Sequence, residues 1–388
     1  MKNKKIPKIL FVTRMALGGR IGPTMDHIDK LIKYYENRII WFSISAQNDK
    51  TNQNYDIPYK SHPPIDKFVM IPLIKNFIRY VLGSRYLTLL ISRFGKRHGA
   101  DVVLADLSSD IISIGRMTAK KLRLPLVLLI HDDPISRLNN KVYPKIISKY
   151  LEEEFNKTMT FSKECAVISD YMGEYYDNQY NIRATTLYIG ADEKRCAKPK
   201  NFLSNKKIIT IGSLGSVHCF RNLDMVIEAI SYLNKTYDGK YFSLKHIGDL
   251  PSKYLNLEDV HVTGWLDKEE VLKELKTIDI GLISVSFEIS KKVTVMTSFP
   301  TKIHNYLEAQ VPLLGIGPNY SAIVKFIKDF YCGQVCNNNS TEKISSKIID
   351  IINNKDNYEK TKFGLLNAAK HFSRDNYFKN FEKIFTEI

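Results

Sequence analysis

The chain alternates between short, continuously apolar runs and longer segments in which apolar residues recur every three or four positions. Runs at Lys8–Thr13, Ile39–Ser43, Val102–Ala105, Leu126–Ile130, Ala166–Ile168 and Thr185–Ile189 have the length of strands. Their continuity predicts strands covered on both faces. Helical patterns lie between most of them, as in Met25, Ile28, Leu31, Ile32 and Tyr35. The alternation restarts at Lys206–Gly212 and continues through a periodic helix at Leu223–Leu233. Further strands are expected at Leu244–Gly248, His261–Gly264, Ile280–Val285 and Leu313–Ile316. Strand and helix in alternation predict a parallel sheet wrapped by helices. The expected fold class is α/β, with two tandem Rossmann-like, doubly wound parallel-sheet domains. Ligands of such sheets sit at the carboxyl ends of the strands, which predicts a cleft between the two domains.

A length of 388 residues also exceeds what one hydrophobic core serves. The expected division is 1–195 and 206–370, joined by a polar, Lys-rich linker over 196–205. Residues 371–388 place Tyr377, Phe378, Phe381, Phe385 and Ile388 at helical spacing. That stripe predicts a terminal helix packing back on the first domain. Apolar runs such as Leu124–Ile130 are too short to span a bilayer. The basic N-terminus is followed by no sustained apolar region, so no signal peptide and a cytoplasmic location are expected.

Five scattered cysteines fit a reducing compartment without a disulfide framework. Cys332 and Cys336 lack a second pair of Cys or His at ligand spacing, so they read as buried thiols and no metal site is expected. The formal net charge of +16 admits nucleic acid, an anionic membrane surface or a phosphorylated substrate as partner. Charge alone does not choose among them.

Candidate chemistry concentrates in T-S-F-P-T-K-I-H-N-Y-L-E-A-Q-V-P-L-L-G-I-G, Thr297 to Gly317. It reads as a turn, a helix start with Pro300 at its beginning and Lys302 in its first turn, then a buried strand. Unpaired N–H groups at a helix start, with a lysine beside them, suit a diphosphate. The turn R-M-A-L-G-G-R-I-G-P-T follows the first strand. Gly18 and Gly19 there either let backbone N–H groups approach an anion or simply make a tight connection. The spacing is not G-x-G-x-x-G, which disfavours a nicotinamide enzyme. His131 and Asp132 end another strand, where an imidazole is placed to bond a hydroxyl or carry a proton. Gly248 in H-I-G-D and Gly264 in T-G-W suit tight strand ends whose backbone groups can meet a base edge. No D-x-D motif is present.

Taken together, the tandem domains, the G-G turn, the H-D pair and the F-P-T-K…Y-L…P helix resemble the GT-B glycosyltransferases. The likeness is to the large, mostly retaining family that includes many bacterial polysaccharide and lipid-sugar transferases, and it covers nearly the whole chain. The resemblance implies an acceptor-binding first domain and a nucleotide-sugar-binding second domain. It implies catalytic roles for His131 and Asp132, and a donor diphosphate held by Arg221, Thr301 and Lys302 with Gly18 and Gly19. It lays the nucleotide along Gly212, Ser213, His218, Gly248, Asp249, Gly264, Asn305 and Glu308. The family's usual arginine and lysine after the second domain's first strand are replaced by Ser213 and His218. Arg221 is the expected substitute, because a guanidinium grips phosphate oxygens in a fork. Glutamates that flank the phosphate helix in many members are Thr297 and Asn305 here, with Glu308 one turn further on. Pro300, Thr301 and Lys302 match the P-[ST]-K motif of a subset.

The implied reaction moves a sugar from a nucleoside-diphosphate sugar to a hydroxyl of a sugar or lipid-linked acceptor. The resemblance further implies retention of configuration, no metal or other cofactor, and a role in cell-surface polysaccharide or glycolipid synthesis. Leu73 to Arg97 interleaves basic and apolar residues at helical spacing, with Gly83 breaking the pattern. It reads either as a helix on an anionic membrane surface or as an ordinary covered helix. A 2-epimerase on the same scaffold would want more carboxylates and histidines in the cleft. A nucleic-acid-binding protein would cluster its basic residues with aromatics; here they are spread, so no nucleic acid is expected. An inactive relative kept as an interaction module is the remaining alternative.

Overall fold

The structure is a computed structural model that describes residues 6–17, 31–45, 56–63, 71–108, 111–137, 143–188, 196–217, 219–386 and 388. The chain divides into two compact units: Met1–Tyr188 with Phe378–Ile388, and Ile189–Tyr377.

The first unit is built on a seven-stranded parallel sheet of order β3-β2-β1-β4-β5-β6-β7. The strands are β1 (Ile9–Thr13), β2 (Ile39–Ser43), β3 (Tyr59–Ser61), β4 (Val102–Asp106), β5 (Leu126–Ile130), β6 (Glu164–Val167) and β7 (Ala184–Thr186). Every residue of β1, β2, β4, β5 and β6 is buried, which is why each reads as an apolar run, with polar residues such as Asp106 and Glu164 only at strand ends. Helices Ser84–Arg97, Ile112–Leu122 and Lys145–Phe161 contribute Leu87, Ile91, Ile112 and Phe155 to the core beside Leu10, Phe42 and Leu128. Gly115 permits one close approach: a Cβ there would stand 2.5 Å from that of Ala105. The last segment of the chain completes this unit. Phe378 stacks on Tyr34 at 4.3 Å, the Tyr35 hydroxyl donates to Glu382, and the Asn380 amide donates to the Thr186 carbonyl.

The second unit carries a six-stranded parallel sheet of order β10-β9-β8-β11-β12-β13. Its strands are β8 (Ile208–Leu214), β9 (Tyr241–Ile247), β10 (Val260–Val262), β11 (Ile280–Ser284), β12 (Leu313–Ile316) and β13 (Gly333–Cys336). Helices Phe220–Thr236 and Thr341–Asn353 lay Leu223, Val226, Ile230, Ile344 and Ile348 against Ile209, Leu244 and Leu282. Cys332 and Cys336 are buried free thiols.

Both sheets are open and doubly wound, as the alternation predicts. Two strands fall outside that prediction, β3 and β13. Both lie at sheet edges and are only half-buried, so neither needs an apolar run. β8 starts and ends two residues later than the expected Lys206–Gly212, which carries Ser213 and Leu214 into the strand. Gly83 does not break its helix but sits in a π-helical segment, Ile78–Gly83. None of the described helices is long and apolar enough to cross a membrane.

Candidate functional site

In each sheet the chain first builds outward in one direction and then returns to build the other way. The reversal falls between β1 and β4 in the first unit and between β8 and β11 in the second. Loops leaving such a pair diverge, and the crevice they leave is where open α/β sheets bind ligands.

The crevice is best developed in the second unit. β8 and β11 pair only at Ile211↔Ile280 and Gly212↔Gly281, although both strands run on further. Beyond that point they splay. The Tyr306 hydroxyl spans the opening, placed 3.0 Å from the Gly212 carbonyl and 3.3 Å from that of Leu282. Gly281 makes room for the ring, since a Cβ there would lie 2.8 Å from it. Asn222, fully buried in the first turn of the Phe220–Thr236 helix, donates to the Val285 carbonyl just past β11 at 2.9 Å. Its Oδ1 is buried without a partner. The two loops at the crevice are therefore fixed by buried side chains.

Lys302 stands at the mouth of this crevice. It opens the Lys302–Glu308 helix, and its ammonium donates to the Ser216 carbonyl, 3.1 Å away in the loop after β8. One carbonyl is a poor exchange for water, so burial lowers its pKa from 10.5 to about 8. His246, in β9, is fully buried, and neither ring nitrogen meets a partner in hydrogen-bond geometry. Burial first, and the nearby Lys302 charge second, lower its pKa to about 4, against a smaller upward pull from the Asp249 backbone and carboxylate. The imidazole is neutral at physiological pH. Above it the chain turns through glycines in left-handed conformations: Gly215 (φ 66°), Gly248 (φ 132°) and Gly264 (φ 74°). Gly248 and Gly264 pair as an isolated antiparallel bridge. A Cβ on Gly248 would meet the His246 Nε2 at 3.3 Å and Gly215 Cα at 3.4 Å. The result is a rim of bare backbone beside one cation, with Asp249 exposed at its edge.

The residues named from sequence fall into three groups. Lys302, Gly248, Asp249 and Gly264 lie at the carboxyl ends of the strands around the crevice. Arg221 and Thr301 adjoin it. Arg221 is exposed in the first turn of its helix, and Thr301 takes the N-cap position without a side-chain cap bond. The helix behind Thr301 spans seven residues, so its dipole is weak and Lys302 carries most of the positive charge. Gly212 and Ser213 are instead buried inside β8. A Cβ on Gly212 would lie 2.1 Å from Ile278, so packing alone demands glycine there. Asn305 and Glu308 are half-buried further along the Lys302–Glu308 helix, and the Glu308 carbonyl accepts from the Ala197 N–H at 2.7 Å. His218, Gly18 and Gly19 lie outside the described residues.

The first unit has its own polar cluster at strand ends. The Thr13 hydroxyl, at the end of β1, donates to Asp106, at the end of β4, at 2.9 Å. His131 and Asp132 follow β5. His131 is half-buried with Nε2 unpartnered, and Asp132 is exposed. The loop is held by Asp133, a buried carboxylate that accepts from the Tyr176 hydroxyl and the Ser136 N–H, both at 2.7 Å. Burial outweighs those bonds and raises the pKa of Asp133.

Sequence reasoning missed Gly215, Asn222 and Asp133, and gave no role to His246 or to Tyr306, the tyrosine of the quoted F-P-T-K…Y-L…P helix. Only Gly215, a glycine directly after an apolar run, carried a readable signal.

No protein-family model matches the chain. A curated protein of Methanocaldococcus jannaschii, named as an uncharacterized glycosyltransferase, is 20% identical over 373 residues, or 95% of each chain. Among solved structures the fold is similar to that of a trehalose-6-phosphate protein from E. coli bound with UDP-2-fluoro glucose. The TM-score is 0.65 at 13% identity, covering 98% of this chain and 99% of that one. It is similar to HepE of Anabaena in complex with UDP-glucose, with a TM-score of 0.66 at 13% identity over 98% and 100%. A trehalose-phosphate synthase of Burkholderia xenovorans in complex with glucose-6-phosphate gives 0.64 at 10% identity over 98% and 100%. The chain thus has the fold the resemblance implied: two open parallel α/β sheets over essentially its full length.

Proposed function

We propose that this chain is a glycosyltransferase that moves a sugar from a nucleoside-diphosphate sugar to an acceptor hydroxyl. Lys302 at the splayed end of β8 and β11 is the observation that carries the reading. Among the described residues its ammonium has one hydrogen-bond partner, the neutral Ser216 carbonyl. A phosphate oxygen would restore the charge balance that burial removes.

In this reading the departing diphosphate gathers negative charge as the glycosidic bond breaks. Lys302 and Arg221 meet that charge, together with backbone N–H groups at Thr301 and Lys302, and stabilisation is greatest where charge develops. Gly215, Gly248 and Gly264 leave backbone bare for the nucleotide. Lys302 exchanges the Ser216 carbonyl for a phosphate oxygen, which ties the loop after β8 to donor binding. His131 and Asp132 of the first unit act on the transferred sugar and the acceptor. Retention of configuration, with the donor phosphate helping to deprotonate the acceptor, and independence of metal follow from the resemblance and belong to the proposal. So does a role in cell-surface polysaccharide or glycolipid synthesis at the cytoplasmic membrane face.

A thermal-shift panel of nucleoside diphosphates and their sugars, with and without magnesium, tests this. UDP-glucose comes first, because two of the structural neighbours hold UDP-sugars. Stabilisation by one nucleotide without magnesium is expected, worth about 2.7 kcal/mol at a hundred times Kd. Failure of every nucleotide alongside a clear response to DNA or RNA overturns the reading. Glucose-6-phosphate and a lipid-linked sugar, offered as acceptors in turn, separate the soluble from the membrane-face assignment.

A further inference from the structure

We infer that the helical run 72–97 of the first unit is a docking face for an anionic lipid surface. Ile71, Ile74, Phe77, Leu82, Tyr86 and Leu89 are all exposed, by 58, 47, 49, 51, 48 and 42%. Spacings of three and four keep residues on one helical face. The single five-residue step, Phe77 to Leu82, falls across the π-helical segment Ile78–Gly83. A π turn holds more residues than an α turn, so the wider spacing is matched by the wider turn and the row stays continuous. At about 100° per residue, Arg85, Arg93, Lys96 and Arg97 flank Leu82, Tyr86 and Leu89 on the same outward face. All four are exposed. The opposite face buries Leu87, Ile91 and Gly95 in the core. Folding is thus already served by one side of the helix; in the outward row Tyr86 meets the His62 ring edge-on at 5.7 Å, and the side chains around it stay open to solvent.

Charge selects the occupant. From Ile71 to Arg97 there are six basic residues and no acidic one. A second copy would bring an identical positive face against this one, in a chain of net charge +16, and like charges repel. Exposed apolar side chains bracketed by arginine and lysine fit the boundary between acidic headgroups and acyl chains. This deepens the membrane-face placement proposed above, but vesicle binding is read without nucleotide, so its failure leaves the donor site untouched.

The test is co-sedimentation of the full chain with vesicles of phosphatidylglycerol and phosphatidylcholine, against phosphatidylcholine alone, at low and high salt. Binding to the anionic vesicles only, weakened by salt, is expected. Leu82→Asp with Leu89→Asp should weaken it at least tenfold, and Arg93→Glu with Lys96→Glu by a similar factor. Neither change touches the core, and unchanged thermal unfolding checks this. Equal binding by the variants, no binding to anionic vesicles, or a solution dimer that Leu82→Asp dissociates would each overturn the inference.

Discussion

Replacing Lys302 by methionine keeps the aliphatic stem and removes the charge, and the structure sets two opposed terms. Lowering the pKa from 10.5 to about 8 is equivalent to roughly 3 kcal/mol of unfavourable burial for the ammonium. Partial contact with water discounts this to about 1–2 kcal/mol. The bond to the Ser216 carbonyl, charged donor to neutral acceptor, returns about the same amount. Unliganded Lys302→Met should therefore unfold within about 1 kcal/mol of the parent. Binding is another matter, because the lost phosphate contact is charge-assisted and partly buried. Affinity for the nucleoside diphosphate should fall by about 2–4 kcal/mol, or some thirtyfold to a thousandfold. Titration calorimetry across pH adds a second signature. Phosphate binding favours the charged ammonium, so parent affinity should decline as pH rises through about 8, with proton uptake on binding above it. The variant should show no such decline. Wild-type affinity in Lys302→Met, or an unchanged pH profile, would refute the assignment of the diphosphate to this lysine.

Three further outcomes follow from the same region. Gly248→Ala forces a side chain into a backbone conformation at φ 132° and against the His246 ring. It should cost about 1–3 kcal/mol in chemical denaturation and weaken nucleotide binding, whereas Gly239→Ala, at φ 80° in open space, should cost stability alone. Asn222→Ala leaves the Val285 carbonyl unpartnered and should lower stability by about 1–3 kcal/mol by the same measurement. His246 and His304 have folded pKa values lowered to about 4 and about 3, both chiefly by burial. The unfolded chain takes up those protons first, near pH 6.5, so stability is full above that value and is lost as pH falls toward 4. Calorimetry should show a decline on the order of 3 kcal/mol per histidine across that window. His304→Phe should flatten the curve, and a flat curve in the parent would contradict the burial of both rings.

The sequence alone determined the alternation of strand and helix, the doubling of that pattern and hence the two open sheets. Strands buried on both faces are apolar up to their carboxyl ends, where Thr13, Ser43 and Asp106 stand, so β1, β2, β4, β5, β11 and β12 are legible as written. It also determined that Lys302 follows a turn at a helix start. Edge strands β3 and β13 escaped because one open side removes the need for an apolar run. Only the tertiary structure decided which polar residues share the crevice. That choice rests on the splay of β8 from β11, bridged by a tyrosine hydroxyl whose partners are 94 and 24 residues away in the chain. It also moved Ser213 from a loop into the strand that holds Gly212, where Ile278 rather than a ligand accounts for the glycine. Local patterning records which residues must be buried. Which side chain meets which carbonyl is set by strands brought side by side across long stretches of chain, and no local spacing encodes that.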